Sequence, residues 1–559
     1  MKMRNAFILL LTLILSACGK NSVYLCLDDL GDREEYNSEI IIDCFDYKGQ
    51  TVESIVLNGT ELAMEKEIVL KNAGFYLLEL HYKVNGVSLI DTSRFVILDP
   101  ERGEAEWGLA KWIPKKVNSD EEFSNMTFIH PKIIPAGTIP LIAIAGDSIL
   151  ESKLYLEATI DLNPFAIKHG IGSFLLRNVT KQEIAGKVNE VPFTIQVDKF
   201  TASPYELSGE LAGNVEIEEN TIVSITGELM IPEGARLRIL AGAYISISEK
   251  VNIVNNGTIE ILGTQDNPVT FACASPEGYW GGIISKTAGN RLEATNSIFC
   301  QSGFHQGGEY DYGHAHRQAL FYIENGSLFL DKCYMIDHAG QVVYPVNSLV
   351  SIRNCLFQRA ITGGQINESQ LEIQNTVFTD FPNDKEEYQD QDNDCLYISG
   401  SDADIDNCVF MYSKDDGLDS GGSAGGEITI KNSFFGSVFH EGAALSSGGN
   451  VVKNHTFINC TFQNCGQGIE LGYSSPNHRV FVDSCRFIEN GIGIRYGDNY
   501  TSPHNGSMSV KNSISINNYS EDIWNMLREN WSPDPEKIIV ENVRVSKKNP
   551  LYPELELYE

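Results

Sequence analysis

Three carboxylates fall within five residues at Asp415-Asp416-Gly417-Leu418-Asp419. Acids recur at the matching place one repeat earlier, Asp394, and one repeat later, Glu441. Grouped carboxylates hold a cation, or they share protons so that one serves as an acid beside another that stays a base. Like charges stacked at strand spacing repel. A cation, shared protons or open solvent must offset that repulsion, and the function depends on which does. The plain structural alternative is an Asp-Gly turn whose acids only solvate the chain.

The positioning elements are repeats. Asn354-Cys355-Leu356-Phe357, Asn375-Thr376-Val377-Phe378, Asn407-Cys408-Val409-Phe410, Asn432-Ser433-Phe434-Phe435, Asn459-Cys460-Thr461-Phe462 and Ser484-Cys485-Arg486-Phe487 share one template, and Lys332-Cys333-Tyr334-Met335 precedes them. Self-similarity at a fixed period marks a solenoid. The Cys or Ser and the Phe two positions on share a strand face, here the inner one. Cys333, Cys355, Cys408, Cys460 and Cys485 therefore read as buried thiols, with disulfides between adjacent rungs as the alternative. Each Asn reads as a turn residue bonded along its own ladder.

A second template follows each of these strands by about eight residues. Its members are Asp394-Cys395-Leu396-Tyr397, Asp416-Gly417-Leu418-Asp419, Glu441-Gly442-Ala443-Ala444, Gln467-Gly468-Ile469-Glu470 and Ile492-Gly493-Ile494-Arg495. Its first position makes a column of Asp394, Asp416, Glu441 and Gln467. Its fourth makes a column of Tyr397, Asp419, Ala444, Glu470 and Arg495. His440 lies one position before Glu441. Insertions at Gln301–Gln318 (with His314, His316 and Arg317), Phe381–Asp394, Gly472–Arg479 and Gly497–Met508 break the period, and in a solenoid such insertions become surface loops that wall a binding face. His316, Arg317, Tyr496 and Asp498 are candidate substrate-binding residues on this basis.

The chain of 559 residues has a formal net charge of -33, which excludes nucleic acid as a partner. Lys2 and Arg4 precede an apolar run, Ala6–Leu15, too short to span a bilayer. Leu15-Ser16-Ala17-Cys18 resembles the lipobox of bacterial lipoproteins. The resemblance implies cleavage before Cys18, its lipidation, and membrane contact through that anchor only. Location in the bacterial envelope, at the outer membrane and cell surface, is the expectation, with the protein a monomer. No CxxC pair suggests structural zinc, and Cys26 and Cys44 are candidates for a disulfide.

The expected organisation is a signal peptide over 1–17, a tether over 18–37, and a β-sandwich over 38–100 broken by Asn58-Gly59 and Asn85-Gly86 turns. Ala73-Gly74-Phe75-Tyr76 resembles the late strands of immunoglobulin-like sandwiches. A second β-domain over 101–205 follows. Thr226–Ala235, Leu237–Gly242 and Gly257–Thr264 resemble the opening coils of right-handed parallel β-helices in bacterial surface proteins. An all-β right-handed parallel β-helix is therefore expected over 206–545, capped by a short helical or irregular stretch at Asp522–Trp531, with a strand-like or loose tail over 546–559.

Asp-Asp-Gly-x-Asp on such a frame resembles the calcium site of family-nine pectate lyases. The resemblance implies Ca2+ held by Asp394, Asp415, Asp416, Asp419 and Glu441, and β-elimination of a uronate polysaccharide. That family uses a lysine as base. No lysine stands at a clearly matching position here, Lys414 being only adjacent in sequence, so His440 is the candidate base. Arg495 would steer a substrate carboxylate. Hydrolysis is the second enzymatic reading, with Asp416 and Glu441, or Asp419 and Glu470, as paired acids. A non-catalytic adhesin or glycan-binding lipoprotein is the reading from another class.

Overall fold

This computed structural model describes residues 22–97, 126–145, 158–199 and 204–558, apart from 32–33, 37–38, 45–46, 59, 64–65, 72–73, 135–136, 161–162, 168–169, 180–182, 189–190, 197, 305–309, 383–391, 499–502, 526–533 and 550. Cys18 lies outside the described residues. From Tyr205–Glu210 to Glu556–Leu557, 37 short strands pair in parallel, each with its counterpart one coil away. Full coils carry three strands, so three faces run along the axis. One face carries the Cys-x-Phe strands, including Leu356–Gln358, Val377–Phe381, Val409–Ser413 and Phe434–Gly436. A second carries the acid template, including Leu396–Ser399, Leu418–Ser420, Glu441–Leu445, Gln467–Leu471 and Ile492–Tyr496. The third includes Asp402–Asp406, Gly426–Lys431, Lys453–Ile458 and His478–Asp483.

The repeat template explains the interior. Phe357, Phe378, Phe410, Phe435, Phe462 and Phe487 form one inner column, with consecutive ring centroids 4.6–5.0 Å apart. Offset aromatic stacking at that spacing adds to simple burial. Cys333, Cys355, Cys408, Cys460 and Cys485 are buried thiols, and no disulfide forms among the described residues, Cys26 and Cys44 included. The Asn column sits at the corner. Asn354, Asn375 and Asn407 have φ of 54°, 49° and 54°, a left-handed conformation that Asn tolerates better than most residues. Asn375 Nδ2 donates to Asn354 Oδ1 at 3.1 Å, and Asn407 Nδ2 to Asn375 Oδ1 at 2.9 Å.

The residue between Cys and Phe points outward, yet Leu356, Val377, Val409 and Phe434 are buried. The strands Met126–Ile129, Gly137–Ala145 and Ile171–Val179 form a sheet whose apolar face packs onto this column. A polar latch fixes the contact. Arg359 pairs with Asp337 at 2.7 Å and donates to the Ser173 carbonyl at 2.9 Å. Part of the second β-domain is thus a cover for the solenoid.

The first domain has two sheets, one of three strands and one of five, around Ile40, Ile42, Leu78, Leu80 and Phe95. It begins earlier than expected: Ser22–Cys26 pairs with Glu39–Asp43, and Glu34–Tyr36 with the end of Val87–Ile97, so these residues are sandwich and not tether. At the other end, the expected cap over 522–531 divides: Glu521–Asn525 is a strand of the acid face, and 526–531 lies outside the described residues, while Glu556–Leu557 pairs with Arg544–Val545 within the tail expected to be strand-like or loose.

Replacing Phe410, whose ring stacks on both neighbours, by Ala should destabilise the solenoid by about 3–5 kcal/mol. A denaturant midpoint unchanged from the parent would contradict the stacked interior.

Candidate functional site

The acid columns assemble by register. Gly417 and Gly442 follow the first-column acids because a Cβ there would lie 2.5 and 2.6 Å from the backbone carbonyl of the next coil's glycine. Coils can then approach closely, and each acid accepts from the next. The Asp416 N–H donates to Asp394 Oδ1 at 3.1 Å and the Glu441 N–H to Asp416 Oδ1 at 3.0 Å, while Gln467 Nε2 donates to Glu441 Oε1. The other expected column is in register too: Tyr397 pairs with Asp419, Asp419 with Ala444, Ala444 with Glu470, and Glu470 with Arg495.

His440 enters this column sideways. Its Nδ1 lies 3.3 Å from Asp415 Oδ1 and 3.5 Å from Asp416 Oδ1, and it also meets Glu441 Oε2. Loss of water is the largest influence on the ring and favours its neutral form. The charge of Glu441 and the bonds to Asp415, Asp416 and Glu441 outweigh that and hold its pKa well above the usual value. The imidazolium is therefore the cation that offsets the stacked carboxylates. A ring that already carries this proton is not a proton-removing base, so the expected role of His440 does not match its surroundings.

Burial also raises the acids. Asp394, Asp416 and Asp419 are pushed well above the ordinary carboxylate range by loss of water first and by neighbouring carboxylates second. Glu441 and Glu470 are raised by burial, against the pull of His440 and Arg495 respectively. Asp394, Asp415, Asp416 and Glu441 are nearly covered, whereas Asp419 is half-buried on the outer face of its strand. Asp419 is the acid of this group that a large substrate can reach.

The expected calcium set does not converge. Ligand atoms of Asp415, Asp416 and His440 lie within 4.8 Å of one another. Asp394 and Glu441 spend oxygens on the bonds above, and Asp419 is outside that group. Calcium takes six to eight hard oxygens, while two carboxylates and a ring nitrogen make a poor match for it.

The remaining sequence candidates are distributed differently from expectation. Arg495 is 1% exposed and paired to Glu470 at 2.6 Å, so it does not present a cation to substrate. Tyr496 points into the core, its hydroxyl donating to the His504 carbonyl at 2.7 Å, and is not a groove residue. Asp498 is buried against His504 Nε2 at 2.9 Å. His316 and Arg317 are exposed in the turn of their loop, where Arg317 Nη1 donates to the His316 carbonyl. The residue of that loop that reaches the acids is His314. Its ring lies 4.2 Å from that of Tyr397, its Nδ1 is 3.5 Å from Asp392, and Asp392 and then Asp419 raise its pKa. Sequence reasoning also missed Lys453, His455 and His478, which are buried beneath Asp419. Only the strand register shows that His455 is out of place, since Ile428 and Val480 fill its column in the neighbouring coils, while Lys453 and His478 pair with each other.

Residues 389–530 match the family model described as a right handed beta helix region, and residues 209–313 match a pectate-lyase like beta helix domain. The fold is a right-handed parallel β-helix. No curated protein matches the chain. Among solved structures, tailspike protein 3 of bacteriophage CBA120 is 11% identical with a TM-score of 0.31, covering 62% of this chain and 56% of its own. The chain thus spans little more than half the tailspike's length. The catalytic unit of a thermostable GH87 alpha-1,3-glucanase from Streptomyces thermodiastaticus strain HF3-3 is 10% identical with a TM-score of 0.30, covering 89% and 85%. Neither likeness bears on the chemistry of the site.

The raised acids have a stability consequence. A folded chain that holds protons on Asp394, Asp416, Asp419 and His440 binds more of them than the unfolded chain, so this contribution is present at low pH and lost as pH rises through the folded values. Buried His338, His455 and His478 have lowered values and oppose this only below the unfolded histidine range. Between about pH 6.5, where an unfolded histidine gives up its proton, and pH 8, where Lys453, lowered by burial to about 8, begins to oppose the trend, the proton kept by His440 should make the melting temperature fall, and Asp416→Asn, which removes one of the bonds that raise His440, should flatten the fall. A melting temperature that rises over that window in calorimetry would contradict the shared-proton arrangement.

Proposed function

We propose that this protein cleaves a polysaccharide by acid-assisted hydrolysis on the outer surface of the acid face. The observation that carries the reading is Asp419: half-buried on the outer face of its strand, with a pKa raised well above the ordinary carboxylate range by loss of water and by the charges of Asp416 and Asp415. Glycoside hydrolysis needs one carboxyl group to protonate the leaving oxygen and another to activate water or stabilise the sugar cation. Asp419 suits the first task. Asp415, beside the His440 imidazolium, suits the second. Loss of water, and then the charges of Asp416 and Asp415, favour the protonated form of Asp419, against the pull of His314 and Lys453. The likeness of residues 209–313 to a pectate-lyase like domain supports a carbohydrate-active reading.

Elimination, favoured on sequence, is displaced to second place. It requires a metal or another electrophile at the uronate carboxylate, and a free base. His440 is engaged as a cation, Arg495 is spent on Glu470, and the calcium donors do not gather. We further propose that Cys18 anchors the chain by lipid to the bacterial envelope, on the strength of Leu15-Ser16-Ala17-Cys18.

Purified protein offered a panel of neutral and uronate polysaccharides should release reducing ends without the ultraviolet absorbance of an unsaturated product. Asp419→Asn should lower kcat about 100-fold or more with the fold intact. New absorbance would establish elimination instead. No product from any glycan, with glycan binding kept in Asp419→Asn, would leave a binding protein. Separately, Cys18→Ser should move the protein from the membrane fraction to the soluble one, and unchanged fractionation would remove the anchor.

A further inference from the structure

Immediately inside Asp419, the solenoid interior is polar where its neighbours are apolar. Ser420, Lys453, His455 and His478 are each at most 1% exposed. Lys453 Nζ donates to the backbone carbonyls of Ser420 at 3.0 Å, Gly421 at 2.7 Å and Ser446 at 3.1 Å. An ammonium has three N–H donors, and here each has one acceptor, which balances the burial of its charge.

The histidines complete the arrangement. His455 Nε2 lies 2.9 Å from Ser420 Oγ, His455 Nδ1 lies 3.0 Å from His478 Nε2, and His478 Nδ1 lies 2.9 Å from Ser447 Oγ. Ser420 Oγ donates to the Ile398 carbonyl at 3.2 Å, so it accepts from His455. His455 Nδ1 then accepts from His478, and His478 Nδ1 accepts from Ser447. One polarity satisfies the whole chain with both rings neutral.

We infer that Lys453 is a positioning residue for Asp419, fixing through three carbonyl contacts the strand end that carries it. Ser420 is Asp419's chain neighbour, and Gly421 opens the run Gly421-Gly422-Ser423-Ala424-Gly425-Gly426. A run with four glycines in six residues does not hold a conformation by itself. Ser446 directly follows the matching strand of the next coil, Glu441–Leu445, so the same ammonium ties two adjacent coils of the acid face together. His455 and His478 do the same for the side chains of Ser420 and Ser447. A carboxyl group that delivers a proton must stay within a fraction of an ångström of its working place, and this clamp supplies that from behind. The role for catalysis rests on the hydrolytic reading above; the clamp itself does not.

Hydrogen–deuterium exchange tests the clamp without any activity. Lys453→Met keeps the length of the stem and removes the donors. Exchange should rise at least tenfold in peptides spanning 418–426 and 444–448, with 402–410 unchanged. Unchanged exchange, or a uniform rise along the solenoid, would overturn the inference. If Lys453→Met does not fold, Ser420→Ala, which removes only the His455 contact, should still raise exchange in 418–426, and its failure to do so counts against the clamp in the same way. On a cleaved glycan, Lys453→Met should lower kcat about tenfold with KM within twofold, and Lys453→Arg should recover part of the loss. Loss confined to KM would also overturn it. An inactive parent protein defeats the hydrolytic reading, while the exchange result still decides the clamp.

Discussion

Parallel coils at a fixed spacing place each residue on top of its counterpart, and every column must tolerate its own repetition. Phenylalanine does so by stacking, asparagine by donating to the asparagine below it, and cysteine by filling space with a thiol that donates to a carbonyl. Carboxylates tolerate it worst. The columns that hold them are where the fold has had to add something: backbone N–H donors from the next coil, protons retained on buried acids, and the His440 ring inserted among Asp415, Asp416 and Glu441. Self-compatibility is cheap for structure, so a column that violates it marks a place where structure is not the only demand.

Much of the solenoid was legible for this reason. Period, inner ladders and acid columns follow from counting, because strand alternation and coil stacking convert sequence offsets into neighbours. Two misreadings broke the same rules. In Ile492-Gly493-Ile494-Arg495-Tyr496 the fourth residue faces outward, so alternation already put Tyr496 inside. The apolar Leu356, Val377, Val409 and Phe434 between Cys and Phe face outward, and they give way to Thr461 and Arg486 further on. That change was a readable sign that something covers the earlier coils and stops.

Other features were not legible from offsets. His314 reaches Tyr397 and Asp392 from an insertion, and a loop's path is set by contacts that no repeat dictates. Arg495 looked like a groove cation because its column faces out; only the paired carboxylate of Glu470, one coil away, shows its charge already used. The clamp under Asp419 lies on a third strand that has no conspicuous template, so Lys453, His455 and His478 stood in the sequence as isolated polar residues.

The choice between metal chemistry and proton chemistry turns on who supplies the positive charge. A calcium enzyme leaves its carboxylates converging on a vacancy that oxygens alone can fill. Here the acids do not converge on one point: their oxygens are taken by the N–H groups of successive coils, and the place of closest approach is shared with an imidazole nitrogen. Such a column has no need of a cation at low pH and becomes strained as protons leave. Burial and like charge therefore favour the protonated form of its acids, and Asp419 is the member of the group that is half-buried on the outer face. The proposed proton donation thus draws on the same feature by which the column tolerates its own repetition.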